Sequence, residues 1–175
     1  MSVVKAKSVE TERITISAPR RIMNGRSYSF TLMYDGSEAL TVQLPRCQLS
    51  SGLYESDGKC YCEMALPARG ATSDLYAGIA LRLESLLHSQ ERFTNATFVG
   101  HMRRTADDTA YLRLKMPQNR SQVLTEVVDA DGARLNLSKF VKGCTIIPIV
   151  SVEYAYVIND TVGFNFLLKQ AVLID

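Results

Sequence analysis

Four Asx-Gly pairs punctuate the chain and constrain it more than any other feature: Asn24-Gly25, Asp35-Gly36, Asp57-Gly58 and Asp131-Gly132. Asn, Asp and Gly tolerate positive φ, which the two-residue turns joining antiparallel strands demand. Between the pairs runs strand-like alternation. In 28–34, Tyr28, Phe30, Leu32 and Tyr34 fall on one face at period two, with Ser29 and Thr31 opposite. Ile14 and Ile16 share a face in 13–17, and 40–44 follows beyond Asp35-Gly36. Further strands are expected over 60–66, 110–116 and 123–128. The most apolar stretch, 144–152, runs into 154–157, turns at Asn159-Asp160 and returns over 163–174, a long hairpin at the heart of the sheet. Pro148 has no N–H for the ladder, so a bulge or an edge is expected there. Turns and strands together indicate a meander or barrel.

One segment breaks this period. Leu75, Ile79, Leu83, Leu86 and Leu87 recur at helical spacing from Ser73 onward, which predicts one amphipathic helix packed on the sheet. Ser73 is the expected N-cap, and Asp74 suits the positive end of the dipole. Gly78 costs about 1 kcal/mol against Ala inside a helix, pointing to a close helix-strand contact or a weaker helix. With 175 residues, 46% of them apolar, and only 10 Gly and 5 Pro, the chain reads as one domain over 1–175 with a flexible arm over 1–12. A domain of this size buries roughly 70% of its extended-chain surface and needs no staple. Residues 1–12 carry Lys5, Lys7, Glu10 and Glu12 rather than the apolar run of a signal peptide, and no run of 18 apolar residues occurs. A soluble protein without a membrane partner is expected, with its four cysteines as reduced thiols.

Signatures of catalysis are poor. The sequence has no Gly-x-Gly-x-x-Gly, no phosphate loop and no nucleophile elbow. Its two histidines, His88 and His101, read as surface residues. Asp107-Asp108 and the Asp129, Asp131 pair read as turn chemistry. Cys60-Tyr61-Cys62 with Cys47 and a histidine would supply four zinc ligands, but the spacing is not Cys-x-x-Cys. No catalytic residue, metal or cofactor is therefore expected.

Charge placement says more. The 20 Lys and Arg against 18 Asp and Glu leave a net charge of +2, too small to imply a polyanion partner from composition. From Arg13 to Arg26, however, four arginines occur with no acid, including Arg20, Arg21 and Arg26. Further on, Tyr111, Arg113 and Lys115 share one strand face while Leu112, Leu114 and Met116 take the other. Arg103, Arg104, Lys139 and Lys142 add charge in adjoining loops. A wet, basic, aromatic-bearing face suits a single-stranded nucleic acid, with phosphates on cations and bases stacked on rings. The solvated face of any half-exposed sheet shows the same alternation, so spacing leaves both readings open.

The C-terminal third carries a resemblance. Its residues are Val127-Val128-Asp129-Ala130-Asp131-Gly132-Ala133-Arg134-Leu135, then 141–145, then Val152-Glu153-Tyr154-Ala155-Tyr156, then 161–173. This pattern resembles the podophage-type single-stranded-DNA-binding proteins and their counterparts in nucleocytoplasmic large DNA viruses. Val42-Gln43-Leu44-Pro45 and 52–61 are similar to the viral versions. The resemblance implies a mainly β fold, an OB-fold-like five-stranded barrel with extra strands and one helix. It implies a non-catalytic binder of single-stranded DNA in viral DNA replication, recombination or repair, located in the viral replication compartment of the host cell. The family's tyrosine at the end of the penultimate strand matches Tyr156, and its alternating basic strand matches Arg113 and Lys115. Arg20, Arg21, Arg26 and Lys142 join the candidate site from charge placement alone. Partners beyond DNA are a second copy of the chain and other viral replication or virion proteins. Phage members carry a long acidic tail, whereas here Leu173-Ile174-Asp175 follows directly on a strand, so recruitment through such a tail is not expected. The alternative is a structural or assembly protein of a large DNA virus that uses the barrel as a docking block.

Overall fold

A computed structural model describes residues 3–22, 27–36, 38–120 and 122–174. In chain order the strands are β1 (Val4–Lys5), β2 (Ile14–Ile16), β3 (Arg20–Ile22), β4 (Ser27–Tyr34), β5 (Leu40–Gln43), β6 (Cys47–Leu49), β7 (Tyr54–Ser56) and β8 (Lys59–Pro67). The helix α1 (Ala71–His88) follows, then β9 (Thr97–Phe98), β10 (Met102–Arg104), β11 (Thr109–Lys115), β12 (Gln118–Asn119), β13 (Gln122–Val123) and β14 (Glu126–Val128). The chain finishes with β15 (Thr145–Val152), β16 (Tyr154–Ile158), β17 (Thr161–Phe164) and β18 (Phe166–Ile174).

Five of these strands close on themselves. β6 pairs antiparallel with β8, and β8 with β11; β11 runs parallel to β18; β18 pairs antiparallel with β15, and β15 with β6. Counted within the ring, the order is 1-2-3-5-4 and back to 1, an OB-fold-like barrel with extra strands and, among the described residues, a single α-helix, as expected. Period two sorts the side chains of each wall. On β11, Ala110, Leu112 and Leu114 are buried, while Thr109, Tyr111, Arg113 and Lys115 stay half-exposed on the outer face. The Asx-Gly reading holds at Asp35-Gly36 and Asp57-Gly58, where both residues of each pair have positive φ. Asn159 and Asp160 turn in the same way. The pair Asn24-Gly25 lies outside the described residues, as does Arg26.

The long C-terminal hairpin does not stay in one sheet. β15 and β18 belong to the barrel; past Glu153 and Asn165 the hairpin continues as β16 and β17, which pair with β4 and β9 in a second sheet. At the crossing, the Glu153 carbonyl accepts from the Leu32 amide at 2.8 Å, and its carboxylate meets Lys169 at 2.6 Å and the Ser151 hydroxyl at 3.0 Å. Pro148 behaves as its missing donor demands. It lies between the stretches of β15 that pair with β6 and with β5, and the β15–β18 register shifts one residue later, between Ile149 and Val150.

Three local expectations are corrected. The helix begins at Ala71 with Gly70 at its N-cap; Ser73 lies inside the first turn, where its buried hydroxyl donates to the Pro67 carbonyl at 2.9 Å. Gly78 marks a close contact, but with Thr11 of the 3-10 turn Thr11–Arg13 rather than with a strand: a Cβ there would lie 3.0 Å from the Thr11 methyl. Within the arm expected over 1–12, the described residues from Val3 onward are tied to the fold. Val4–Lys5 adds a parallel strand to β5, and Ala6 is buried. Burying these side chains outweighs the backbone entropy that a polar-looking terminus would keep. The helical stripe Leu75, Ile79, Leu83 and Leu87 is buried as its spacing requires.

Candidate nucleic-acid interface

A cleft of about 780 Å³ lies between the outer face of β8 and β11 and the strand β16. Arg113 and Lys115 line it from β11, and Tyr156 from β16, so three residues from distant sequence positions meet in one place. Their convergence follows from the bent hairpin: β18 carries the chain beside Lys115, which pairs with Leu167, while β16 returns above it. Tyr154, Tyr156 and Ile158 share one face of β16; Tyr154 is 56% exposed and Tyr156 half-buried.

Two contacts fix the Tyr156 ring. Its hydroxyl is 2.7 Å from His101 Nε2, and its ring lies over Gly163, its direct partner across β16–β17. A methyl at position 163 would overlap the ring. Gly163→Ala is therefore expected to swing Tyr156 out and break the His101 bond. It should cost about 1–3 kcal/mol of stability by overpacking. Urea unfolding and an oligonucleotide titration on the same sample check this. Full affinity in the variant would show that the seated ring is not needed.

Electrostatics favour anions. Among the described residues no Asp or Glu lines the cleft, and none of Lys59, Arg113, Lys115 and Arg120, which do line it, forms a salt bridge. The Arg113 guanidinium lies 4.6 Å from the centroid of the buried Tyr61 ring, and Tyr54 stacks on Tyr61 at 5.9 Å. Burial, then the charge of Lys59, holds the Lys115 ammonium below the ordinary lysine range. Burial, then Arg113, lowers the His101 imidazole from its usual value. Burial raises the Tyr156 phenol, with Arg113 opposing. Neutral His101 and neutral Tyr156 thus share their hydrogen bond at pH 7.

The remaining sequence candidates scatter. Tyr111 continues the basic strand beyond the cleft and carries Arg103 over its ring at 4.4 Å. Arg20 stands in the same cross-strand row as Tyr156, through Ser29, and so on the same face, though it does not line the cleft. Arg21 falls on the opposite face, in register with Tyr28, whose ring packs against Phe93 at 5.2 Å. Lys142 is exposed beside a separate groove formed with Leu53 and Val141. Sequence reading missed Tyr154, although it precedes Tyr156 by two residues on a strand and period two places it on the same face. His101 was expected on the surface and instead sits half-buried in the cleft; nothing local in the sequence announces a bond to a residue 55 positions away. No protein-family model matches the chain, and no curated protein matches it.

Proposed function

We propose that this chain is a non-catalytic single-stranded-DNA-binding protein that captures its ligand by phosphate contact and base stacking in this cleft. The observation that carries the reading is the meeting of Arg113, Lys115 and the half-exposed Tyr156 in one cleft that no carboxylate among the described residues lines. In OB-type barrels, oligonucleotides bind the face of the second and third strands and the loops after the first and fourth. Here those strands are β8 and β11. The loop after the first carries Tyr54, and the excursion after the fourth is the β16–β17 hairpin with Tyr154 and Tyr156. Cations take the phosphates, and the tyrosine rings take bases without strong sequence preference. The C-terminal resemblance points to DNA, and to viral replication, recombination or repair as the setting.

The test is a fluorescence titration with labelled oligo(dT) at several salt concentrations. Binding at low salt is expected, with log K falling against log salt at a slope of roughly −2 if three phosphates are neutralised. Absence of binding at low salt would remove the reading and leave the barrel as a docking block for other proteins. Tyr156→Ala is expected to weaken binding about 5- to 150-fold, the loss of one stacking platform worth roughly 1–3 kcal/mol. Its thermal midpoint should show the fold intact. An unchanged titration would take Tyr156 out of the site.

A further inference from the structure

We infer that the cleft prefers a single strand ending in a phosphomonoester over one ending in a hydroxyl, an inference that rests on the single-strand reading above. The basis is the density of unneutralised positive charge at one place. Lys115 pairs with Tyr61 across β11–β8, and Lys59 precedes Tyr61 by two residues on the same face. The two lysines are therefore diagonal neighbours, roughly 7–8 Å apart along the sheet. Arg113 lies one face position, about 7 Å, further along β11. Arg120, with φ 55°, brings a fourth cation to the cleft from the end of β12.

Neither Glu63 nor Asp57, the carboxylates next along β8 and its turn, lines the cleft. Glu63 stands opposite Arg113 in register, but its Oε1 accepts from the Ser50 hydroxyl at 2.9 Å and lies 3.9 Å from Arg103. The charge of Lys59 disfavours the charged form of Lys115, and an arriving anion relieves that repulsion. An internal phosphodiester brings one negative charge, whereas a terminal phosphate brings about 1.5 to 2 and an additional charged oxygen for hydrogen bonding. The terminal group matches a pair of adjacent lysines in a way that one diester does not. Meanwhile Tyr156 and Tyr154 remain available to the first bases.

Three oligo(dT) strands of equal length and with the same internal label provide the test: one with a 5′-phosphate, one with a 3′-phosphate, one with hydroxyls at both ends. One phosphorylated strand is expected to bind about tenfold tighter than the hydroxyl strand, its end identifying the polarity. Lys59→Ala, at an exposed position, should abolish that preference while the hydroxyl strand still binds. Equal binding of all three strands would overturn the inference and leave the single-strand reading standing. A preference that survives Lys59→Ala would overturn it too, because the phosphate would then sit elsewhere. If no strand binds at low salt, the single-strand reading itself fails.

Discussion

Replacing Arg113 and Lys115 together by alanine is expected to weaken oligo(dT) binding on the order of a hundredfold at low salt and to flatten the salt slope by about 1.4, the share of two phosphates. Both side chains stand on the outer face of β11, and the residue between them, Leu114, belongs to the buried face. The substitutions therefore leave the barrel core untouched. Arg113 has a second role that charge alone does not describe, since its guanidinium covers Tyr61 at 4.6 Å. Arg113→Lys separates the two: the salt slope should stay near that of the unaltered protein while affinity falls, because an ammonium keeps the charge but not the planar stack. Titrations at four or more salt concentrations give slope and affinity together. An unaltered slope in the double variant would mean that the phosphates run elsewhere, with Arg103 on the adjoining β10 and Arg20 on β3 of the second sheet the next cations to test.

The barrel was legible because its walls are half-wet. Alternation over 110–116 reports a barrel wall with one apolar and one solvated face, the same alternation over 28–34 reports a strand of the second sheet, and Asp57-Gly58 marks where β7 reverses into β8. What stayed hidden were the short strands. Arg20–Ile22 and Met102–Arg104 are too short for a period to show and too basic to look apolar; they become strands only because β4 and β11 offer edges to pair with. The N-terminal residues misled for a related reason. Lys5 and Lys7 suggest a solvated arm, yet Val4 pairs with Val42 and Ala6 reaches the core, a tertiary gain invisible to local composition.

The candidate site was legible in part, and the division has a physical cause. Arg113 and Lys115 lie on a strand whose wet face is fixed by its own alternation, so their direction was readable, whereas Tyr156 entered through the resemblance alone and the meeting of the three was not readable. The meeting depends on the crossing at Glu153 and Asn165, which sends β16 and β17 away from the barrel and back across its face. The His101 backbone is held at the cleft by its amide, which donates to the Tyr76 hydroxyl on the helix at 2.7 Å. Arg21 and Lys142 were proposed on charge alone, and charge says nothing about which face of a sheet a residue takes.

Phe164→Ala is expected to cost about 3–5 kcal/mol, a large part of the 5–15 kcal/mol that holds a domain of this kind together. Phe164 is almost wholly buried at the bend where β17 gives way to β18. Its ring meets Tyr76 of α1 at 4.9 Å, Phe98 of β9 at 5.6 Å and Phe166 of β18 at 5.7 Å. One side chain thus touches the helix, the second sheet and the barrel, and truncating it leaves a cavity that three separately anchored elements cannot collapse to fill. In urea the midpoint should drop with the slope of the transition unchanged, as for a loss of packing without a change in the unfolded state. Phe164→Leu, which keeps most of the volume, should cost markedly less. The consequence reaches the cleft, because Tyr76 holds the His101 backbone and the His101 ring holds the Tyr156 hydroxyl, each at 2.7 Å. Under conditions where the variant is still folded, oligo(dT) affinity should therefore fall while the salt slope stays the same, since the ring loosens and the cations do not. A loss of stability below about 1 kcal/mol would show that the aromatic cluster does not join the two sheets.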